Sequence, residues 1–367
     1  MRYSVIGTMS GSSLDGLDVV YALFHETGGK WSYSIDAAEC IPYSGEWTEQ
    51  LTSAVNLSAK DYLLLHSAYG HYNGTCIREF IGRNGLEHKI QLIASHGHTT
   101  FHLPAGGTTA QLGEGAAIAA ETGLPVISDL RALDVALGGQ GAPIVPLGEK
   151  MLFGEYGLLL NIGGIANMTI AAGNHYAAHD IAAANQVLNR LATLKGKPYD
   201  ADGYWASSGT CEIALFNRLS DLDFYKKIPP KSLDNQFVSN EIMPLISDAK
   251  ITPEDALNTY VLHLCKQITS EAAGALKQFG SELNSNKMLV TGGGALNAFL
   301  IKTLQPMLER EGINLVVPDE MTIKYKEALI MAFLGVLRWR DEATTLGSVT
   351  GASRNGIGGS VWMGAES

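Results

Sequence analysis

Short apolar runs separated by glycine-rich turns fill the first forty residues and recur in the middle of the chain. Tyr3–Ile6 is apolar, Gly7–Gly16 is rich in Gly and Ser, Leu17–Phe24 is apolar with β-branched content, and Trp31–Cys40 alternates. Alternation with such tight connections predicts an antiparallel meander rather than a βαβ start. From Ser58 to Asn84 the period becomes helical, with Leu64, Leu65, Ala68, Tyr69 and Ile77 as core positions; Lys89–Ser95 then returns to strand. Gly113–Thr122 reads as helix and Pro125–Ser128 as a buried parallel strand. The segment LLLNIGGIANMTI (Leu158–Ile170) repeats the opening theme of strand, glycine turn, strand, and a helix follows from Asn185 to Lys195.

The remainder alternates helix and strand. Thr252-Pro253-Glu254-Asp255 opens a long helix to Phe279, with a capping Thr, Pro in the first turn and two acids after it. Lys287–Thr291 is a strand running into Gly292-Gly293-Gly294, Ala295–Arg310 a helix, Ile313–Val317 a strand and Tyr325–Arg340 a closing helix. Meanders combined with strand–helix alternation predict an α/β protein with mixed sheets. The 367 residues suggest two domains, and no flexible linker separates the halves. The glycine-rich stretch 131–146 is the expected crossover, giving an N-terminal lobe of residues 1–130 plus 341–367 and a C-terminal lobe of 131–340.

Composition narrows the partners. The 26 basic against 37 acidic residues leave a net charge of −11, which disfavours nucleic acid and anionic membranes as partners while allowing a local phosphate pocket. The longest apolar run, Ala328–Leu337, is about half the ~20 residues of a membrane span and reads as a buried helix. MRYSVIGTMSG lacks the pattern of a secretory leader, and Cys40, Cys76, Cys211 and Cys265 form no C-x-x-C pair. Reduced thiols in a cytoplasmic protein are expected.

Candidate chemistry gathers at the turns. In GTMSGSSLDG, the glycines at 7, 11 and 16 let backbone N–H groups converge, and Thr8, Ser10, Ser12 and Ser13 add hydroxyls, a nest suited to phosphate oxygens. Asp15 and Asp18 beside a phosphate call for a cation such as Mg²⁺ between them; a plain Gly/Ser hairpin explains the same residues. GGGALN (Gly292–Asn297) follows a strand and opens a helix, so its backbone can approach a nucleotide closely, although Asn297 stands where a dinucleotide fingerprint has its last glycine. SHGHTTFH spaces His96, His98 and His102 so that a regular strand would present all three on one face. Hydrogen bonding to substrate is favoured there, a surface or structural role comes second, and zinc comes last because no cysteine or carboxylate is near in sequence. Asp180 is either the N-cap of the following helix or a proton acceptor at a cleft mouth. Arg131 suits a bidentate carboxylate contact or a surface ion pair, and Glu327 is a second acid or a first-turn helix residue.

Taken together, GTMSGSSLDGLD (Gly7–Asp18), SHGHTTFHLP (Ser95–Pro104), SDLRALDVALGGQGAPIVP (Ser128–Pro146), LNIGGIANMT (Leu160–Thr169) and VTGGGALNAFL (Val290–Leu300) resemble the anhydro-N-acetylmuramic acid kinase family, in the family order. The resemblance implies two related domains of the actin–hexokinase–Hsp70 type, ribonuclease H-like in their sheets, with ATP in the intervening cleft. It implies a first phosphate loop at Gly11, Ser12, Ser13, Leu14, Asp15, Gly16, Leu17 and Asp18, a second at Gly163 and Gly164, and an adenosine contact at Gly292, Gly293 and Gly294. It implies Mg²⁺ at Asp15 and Asp18, Asp180 as the catalytic base that activates water, and His96, Arg131 and Glu327 at the amino-sugar substrate. The implied reaction hydrolyses the 1,6-anhydro bond and phosphorylates O6, in peptidoglycan recycling, by a cytoplasmic homodimer.

Two departures qualify the match. The family follows its Asp with Thr-Gly-Pro-Gly-Asn, where this chain has Ile181-Ala182-Ala183-Ala184-Asn185, and His98 replaces a usual glutamine. Alanine lacks glycine's range of backbone angles, so the loop beside Asp180 is expected to change shape. The rival readings are a kinase of the same fold for another small molecule, an ATP-driven conformational protein, and a two-carboxylate glycosidase that leaves three glycine loops unexplained.

Overall fold

The computed structural model describes residues 1–364 apart from 12, 13, 174, 230 and 235. The chain divides into two compact units, Met1–Phe153 with Tyr325–Ser367, and Gly154–Lys324. Segments 131–153 and 325–340, assigned from sequence to the C-terminal lobe, thus group with the first unit. Short-range packing accounts for it: Arg131 donates to His96 at 2.8 Å, and Gly7 lies against Ala328 and Ala332.

In the first unit Arg2–Ser10 (β1), Gly16–Thr27 (β2) and Lys30–Pro42 (β3) form the expected antiparallel meander. On its other side β1 pairs in parallel with Leu92–Leu103 (β4). Thr108–Leu112 (β5) folds back on β4, and Val126–Ser128 (β6) continues the sheet in parallel. The C-terminal strand Ser360–Trp362 closes that edge antiparallel to β6.

The crossover helix Ala59–Asn84 starts at Ser58, whose hydroxyl accepts from the Asp61 N–H, and stops at Gly85 with φ +59°. Leu65, Tyr69 and Ile77 are buried as expected, whereas Leu64 and Ala68 are exposed. The inward face runs through Leu65, Tyr69, Asn73, Cys76 and Phe80 instead, because Gly70 and Gly74 seat this helix on Gly115–Thr122; a Cβ at Gly70 would lie 2.6 Å from the Glu114 carbonyl oxygen. The apolar run Ala328–Leu337 is buried within the helix Glu320–Trp339. Among the described residues no helix is long and apolar enough to cross a membrane.

The second unit repeats the plan. Leu158–Ile162 (β7), Ile165–Ala172 (β8) and His175–Ala183 (β9) are an antiparallel meander, and Lys287–Thr291 (β10) and Asn314–Val316 (β11) extend it in parallel from β7. The orders β3-β2-β1-β4-β6 and β9-β8-β7-β10-β11 are the same topology, so the two ribonuclease H-like α/β domains expected from sequence are present. The helix Pro253–Phe279, capped by Thr252 at the Asp255 N–H, buries Leu257, Tyr260, Val261, Leu264 and Ile268 in this unit's core.

Gly7 is not part of a phosphate nest. It sits inside β1, where an added Cβ would lie 2.1 Å from the Ala328 carbonyl oxygen and 2.8 Å from the Ala332 side chain. Its missing side chain lets the sheet meet the helix. Gly274, exposed in the helix Pro253–Phe279, has nothing within 4 Å of an added Cβ. Gly7→Ala should therefore lower the free energy of urea unfolding by at least ~1–3 kcal/mol through overpacking. Gly274→Ala should raise it by roughly 0.5–1 kcal/mol through helix propensity. Equal midpoints for the two variants would contradict this account of the β1–helix contact.

Candidate active-site elements

In the first unit, the hairpin between β1 and β2 carries the predicted phosphate loop. Ser12 and Ser13 lie outside the described residues. Leu14 takes φ +55°, an uncommon angle for a residue with a Cβ, and its N–H reaches back to the Gly11 carbonyl at 3.4 Å. Gly16 is required by a neighbour, since a Cβ there would lie 2.5 Å from the Ile41 carbonyl oxygen on β3. Leu17 is buried in the core opposite Ser10, so its side chain supports the loop from below.

Asp18 follows on β2, paired with Cys40 on β3. Burial pushes the Asp18 carboxyl up to about 6; the Cys40 hydrogen bond opposes this, while the charges of Asp15 and Glu327 add to it. Burial and the Asp18 charge push the Cys40 thiol up to about 12, so it stays a thiol. Asp15 and Glu327 thus both repel Asp18, and the three carboxylates could share a divalent cation. No cluster of three or more His, Cys, Asp or Glu among the described residues makes a metal site by itself. A cation here would need oxygens from a ligand and water as well.

The three histidines stay near one another, with His96 and His102 both close to Arg131, but each has its own hydrogen-bond partner. Between Thr8 and Ser10 of β1 the pairing with β4 slips by one residue, and Gly97 takes φ +74°, with its Cα too close to the Leu112 carbonyl for a side chain. This bulge breaks the alternation that the sequence spacing assumed. His98 Nδ1 instead meets the Ser10 hydroxyl at 3.1 Å, which Tyr43 also contacts at 2.8 Å, and His102 Nδ1 meets Thr109 at 3.1 Å. His96 joins Arg131.

The Arg131–His96 pair fixes its own protonation. Arg131 Nε lies 2.8 Å from His96 Nε2, and guanidinium has no acceptor, so Nε2 must accept. The proton of the neutral ring is then on Nδ1, which donates to the Gly97 carbonyl at 2.9 Å. Burial, with the Arg131 charge, holds His96 down at about 3. Arg131 also donates to the Gly141 carbonyl at 2.7 Å, and the Gly141 N–H donates to buried Asp134 at 2.8 Å. Burial lowers Arg131 to about 10, which leaves it charged at neutral pH. Nε and one terminal nitrogen are engaged; among the described residues the other terminal nitrogen has no hydrogen-bond partner, and the charges of Glu327 and Asp134 act on the guanidinium.

In the second unit, Gly163 and Gly164 make the turn between β7 and β8. Their carbonyls accept from the N–H groups of Asn185 (3.1 Å), and of Ala184 and Gln186 (2.8 and 3.1 Å), at the start of the helix Asn185–Thr193. The residues in place of the family's Gly-Pro-Gly therefore have an ordinary structural use. Ile181, Ala182, Ala183 and Ala184 are buried, and none has a positive φ. Beyond β10, Gly292 has φ +81° and rests on Asn161 and Ile162, and Gly294 rests on Ile162 at 2.2 Å from an added Cβ. Gly293 has only the Asn185 amide nearby, at 3.5 Å. Gly163–Gly164 and Gly292–Gly294 thus meet at the carboxyl ends of neighbouring parallel strands. The helix begins at Ala298 rather than Ala295, because Asn297 is its N-cap, accepting from the Leu300 N–H at 3.0 Å. Beside this loop a groove of about 680 Å³ is lined by Ala295, Ile301, Pro306, Val317, Pro318 and Ile323 among others.

Asp180 is not a helix cap. It lies in β9, opposite Asn167, five residues before the helix, whose N-cap position is Ala184. A bulge at Ile181 separates Asp180 from Ala182 and sets its direction. Oδ2 accepts from the Leu233 N–H at 2.9 Å and the Ser232 hydroxyl at 3.1 Å, and the Asp180 N–H donates to the Lys231 carbonyl at 2.9 Å. Among the described residues Oδ1 has no hydrogen-bond partner, so this carboxylate is half held and half open. The strap Lys231–Leu233, Cys40 and the Tyr43–Ser10–His98 chain escaped the sequence reading, since none carries a periodicity or motif of its own.

The folded protein keeps His96 neutral down to about 3, against an ordinary value of 6.5. Its contribution to stability is whole above that ordinary value and is lost as pH falls below it. Between about pH 6 and 4, wild type should lose about 1.4 kcal/mol more per pH unit than His96→Gln, which keeps both hydrogen bonds without a titrating ring. Parallel slopes in urea unfolding would mean that His96 takes up protons in the folded protein.

A family model described as anhydro-N-acetylmuramic acid kinase matches residues 3–364. The anhydro-N-acetylmuramic acid kinase of Francisella tularensis subsp. novicida is 32% identical, over 97% of this chain and 97% of its own. That of Salinibacter ruber is 31% identical, over 96% and 94%. Among solved structures, the activator of the 2-hydroxyisocaproyl-CoA dehydratase from Clostridium difficile with bound ADPNP matches 92% of this chain and 97% of its own at 16% identity, with a TM-score of 0.44. A match that runs through both units, with relatives aligned nearly end to end, places this chain in the anhydro-N-acetylmuramic acid kinase family.

Proposed function

We propose that this chain is an ATP-dependent sugar kinase that opens the 1,6-anhydro bond of anhydro-N-acetylmuramic acid and phosphorylates O6, giving N-acetylmuramic acid 6-phosphate and ADP. The full-length family match carries the reading. The held and open oxygens of Asp180 support its role. With Oδ2 fixed by Leu233 and Ser232, Oδ1 takes a proton from water. The water oxygen bonds to C1, the C1–O6 bond breaks, and its electron pair stays on O6. O6 attacks the γ-phosphorus, the bond to the β,γ-bridging oxygen breaks, and ADP leaves. The proton on Asp180 returns to solvent. Little covalent work falls to the protein, so catalysis rests on holding these atoms in line.

The other residues take binding roles in this reading. Arg131, locked by His96 and Gly141, presents its remaining nitrogen to the carboxylate of the sugar's lactyl group. Gly163 and Gly293, whose absent side chains leave room, let backbone approach the phosphates and ribose, and the groove beyond Gly294 takes the adenine. Asp15 and Asp18 fit a hydrated Mg²⁺, with Glu327 in support: their mutual repulsion is what a cation would relieve. When bound, Mg²⁺ would neutralise charge on the phosphates. A cytoplasmic location fits the four free cysteines and the need for ATP.

The test is ADP release from ATP and Mg²⁺ in ¹⁸O-water, with and without anhydro-N-acetylmuramic acid. Sugar-stimulated turnover should place the label at C1, and Asp180→Asn should lower kcat by on the order of 10²–10⁴-fold. Stimulation by a sugar with a free hydroxyl, with no label at C1, would make the chain an ordinary sugar kinase instead. The homodimer implied by the resemblance is proposed with this reading, and light scattering should return twice the chain mass; the single-chain mass would remove it.

A further inference from the structure

Behind Asp180 lies an ionic cluster that the proposed chemistry does not use. Lys231 Nζ is hydrogen-bonded to Glu271 Oε1 and sits 5.1 Å from the centre of the Phe224 ring. His179 Nε2 lies 3.2 Å from the other oxygen of Glu271. The Lys231 and His179 side chains are each 2% exposed and that of Glu271 is 17% exposed. Burial raises the Glu271 carboxyl, but the His179 hydrogen bond and the Lys231 ammonium outweigh it and hold it below the usual carboxylate range. Glu271 therefore remains an anion inside the unit.

The connectivity of these groups is the informative feature. His179 precedes Asp180 on β9, and Lys231 begins the strap whose next two residues donate to Asp180 Oδ2. The Lys231 carbonyl itself accepts the Asp180 N–H. Glu271, on the helix Pro253–Phe279, thus grips both the strand that bears Asp180 and the strap that orients it, closing a ring of contacts. Buried ion pairs of this kind are poor stabilisers, since apolar residues of similar volume often do as well or better. They do fix geometry, because leaving either charge unpaired is costly.

We infer that Lys231, Glu271 and His179 are positioning residues, a buried clamp that sets the strap Lys231–Leu233 and through it the orientation of the Asp180 carboxylate. The inference rests on the reading of Asp180 as the base. Neither Lys231 nor Glu271 contacts substrate in it. The clamp acts on the alignment of Oδ1, and so on turnover rather than on binding of sugar or ATP.

Steady-state ADP release should be measured for Lys231→Met, Glu271→Gln, the double variant, Lys231→Arg and Asp180→Asn, with folding checked by circular dichroism. Lys231→Met and Glu271→Gln should each lower kcat by on the order of 10- to 100-fold, the cost of a small misplacement, with both KM values within about twofold. The double variant should be no slower than the worse single one, because the pair acts as a unit. Lys231→Arg, which keeps the charge, should recover most of the rate. Folded clamp variants with wild-type kcat beside an inactive Asp180→Asn would overturn the clamp alone. An active Asp180→Asn would overturn the base assignment and the clamp's purpose with it. If either clamp variant fails to fold, Ser232→Ala decides: its hydroxyl is on an exposed residue, so a lower kcat at unchanged KM supports the strap's role and a wild-type kcat overturns it.

Discussion

In each unit a single strand faces two kinds of neighbour. β1 and β7 run antiparallel to the strand that follows them and parallel to one that arrives after a helical crossover. At the carboxyl end of such a strand the chain must turn tightly on one side, while the parallel partner ends at the same level on the other. Backbone from two loops is therefore delivered to one place without any side chain demanding it, the usual position for ligand in an open α/β sheet. Gly163–Gly164 and Gly292–Gly294 meet in this way in the second unit. In the first unit the end of β1 at Ser10 lies level with the His96–Gly97 bulge inside β4, where the parallel pairing of the two strands stops at His98.

Charge in these regions is arranged by hydrogen bonds that consume some valences and leave others. Arg131 spends two nitrogens on His96 and Gly141, and the neutral tautomer of His96 follows from that choice. Asp180 spends one oxygen on the strap. Asp18 is the opposite case, a carboxyl that burial and neighbouring acids push toward its protonated form. Groups with satisfied partners supply geometry, and groups under electrostatic tension mark where a ligand's charge would be welcome.

Much of the architecture was legible because it rests on local signals. The meander, the repeat at LLLNIGGIANMTI, the Ser58 and Thr252 caps and the buried run Ala328–Leu337 follow from period, turn residues and capping chemistry. What failed was information held between distant residues. Leu64 and Ala68 fit a helical period but face solvent, because Gly70 and Gly74 turn another stripe of the helix inward. The histidine spacing assumed a regular strand, and Gly97 made it a bulge. A cap remained one of two readings of Asp180 because the intervening Ile181–Ala184 did not announce itself as strand. The clamp residues Lys231 and Glu271 are forty positions apart and carry no joint pattern in sequence.

The alanine corner after Asp180 has a thermodynamic consequence. A Gly–Pro–Gly turn has two highly mobile residues in the unfolded chain, and their freedom must be surrendered when the corner forms. Alanine at a compatible angle has less freedom to lose, about 0.4–1 kcal/mol for a glycine replaced, but alanine for the proline returns a similar amount, and Ala184 at φ −126° and ψ −101° lies outside the regions alanine favours. Here Ala182, Ala183 and Ala184 are packed in the core and the N–H groups of residues 184–186 are already paired with Gly163 and Gly164. Packing and backbone pairing, rather than restricted residues, thus hold this corner in the folded chain, so in the proposed reading a sugar arriving at Asp180 would meet a corner already ordered.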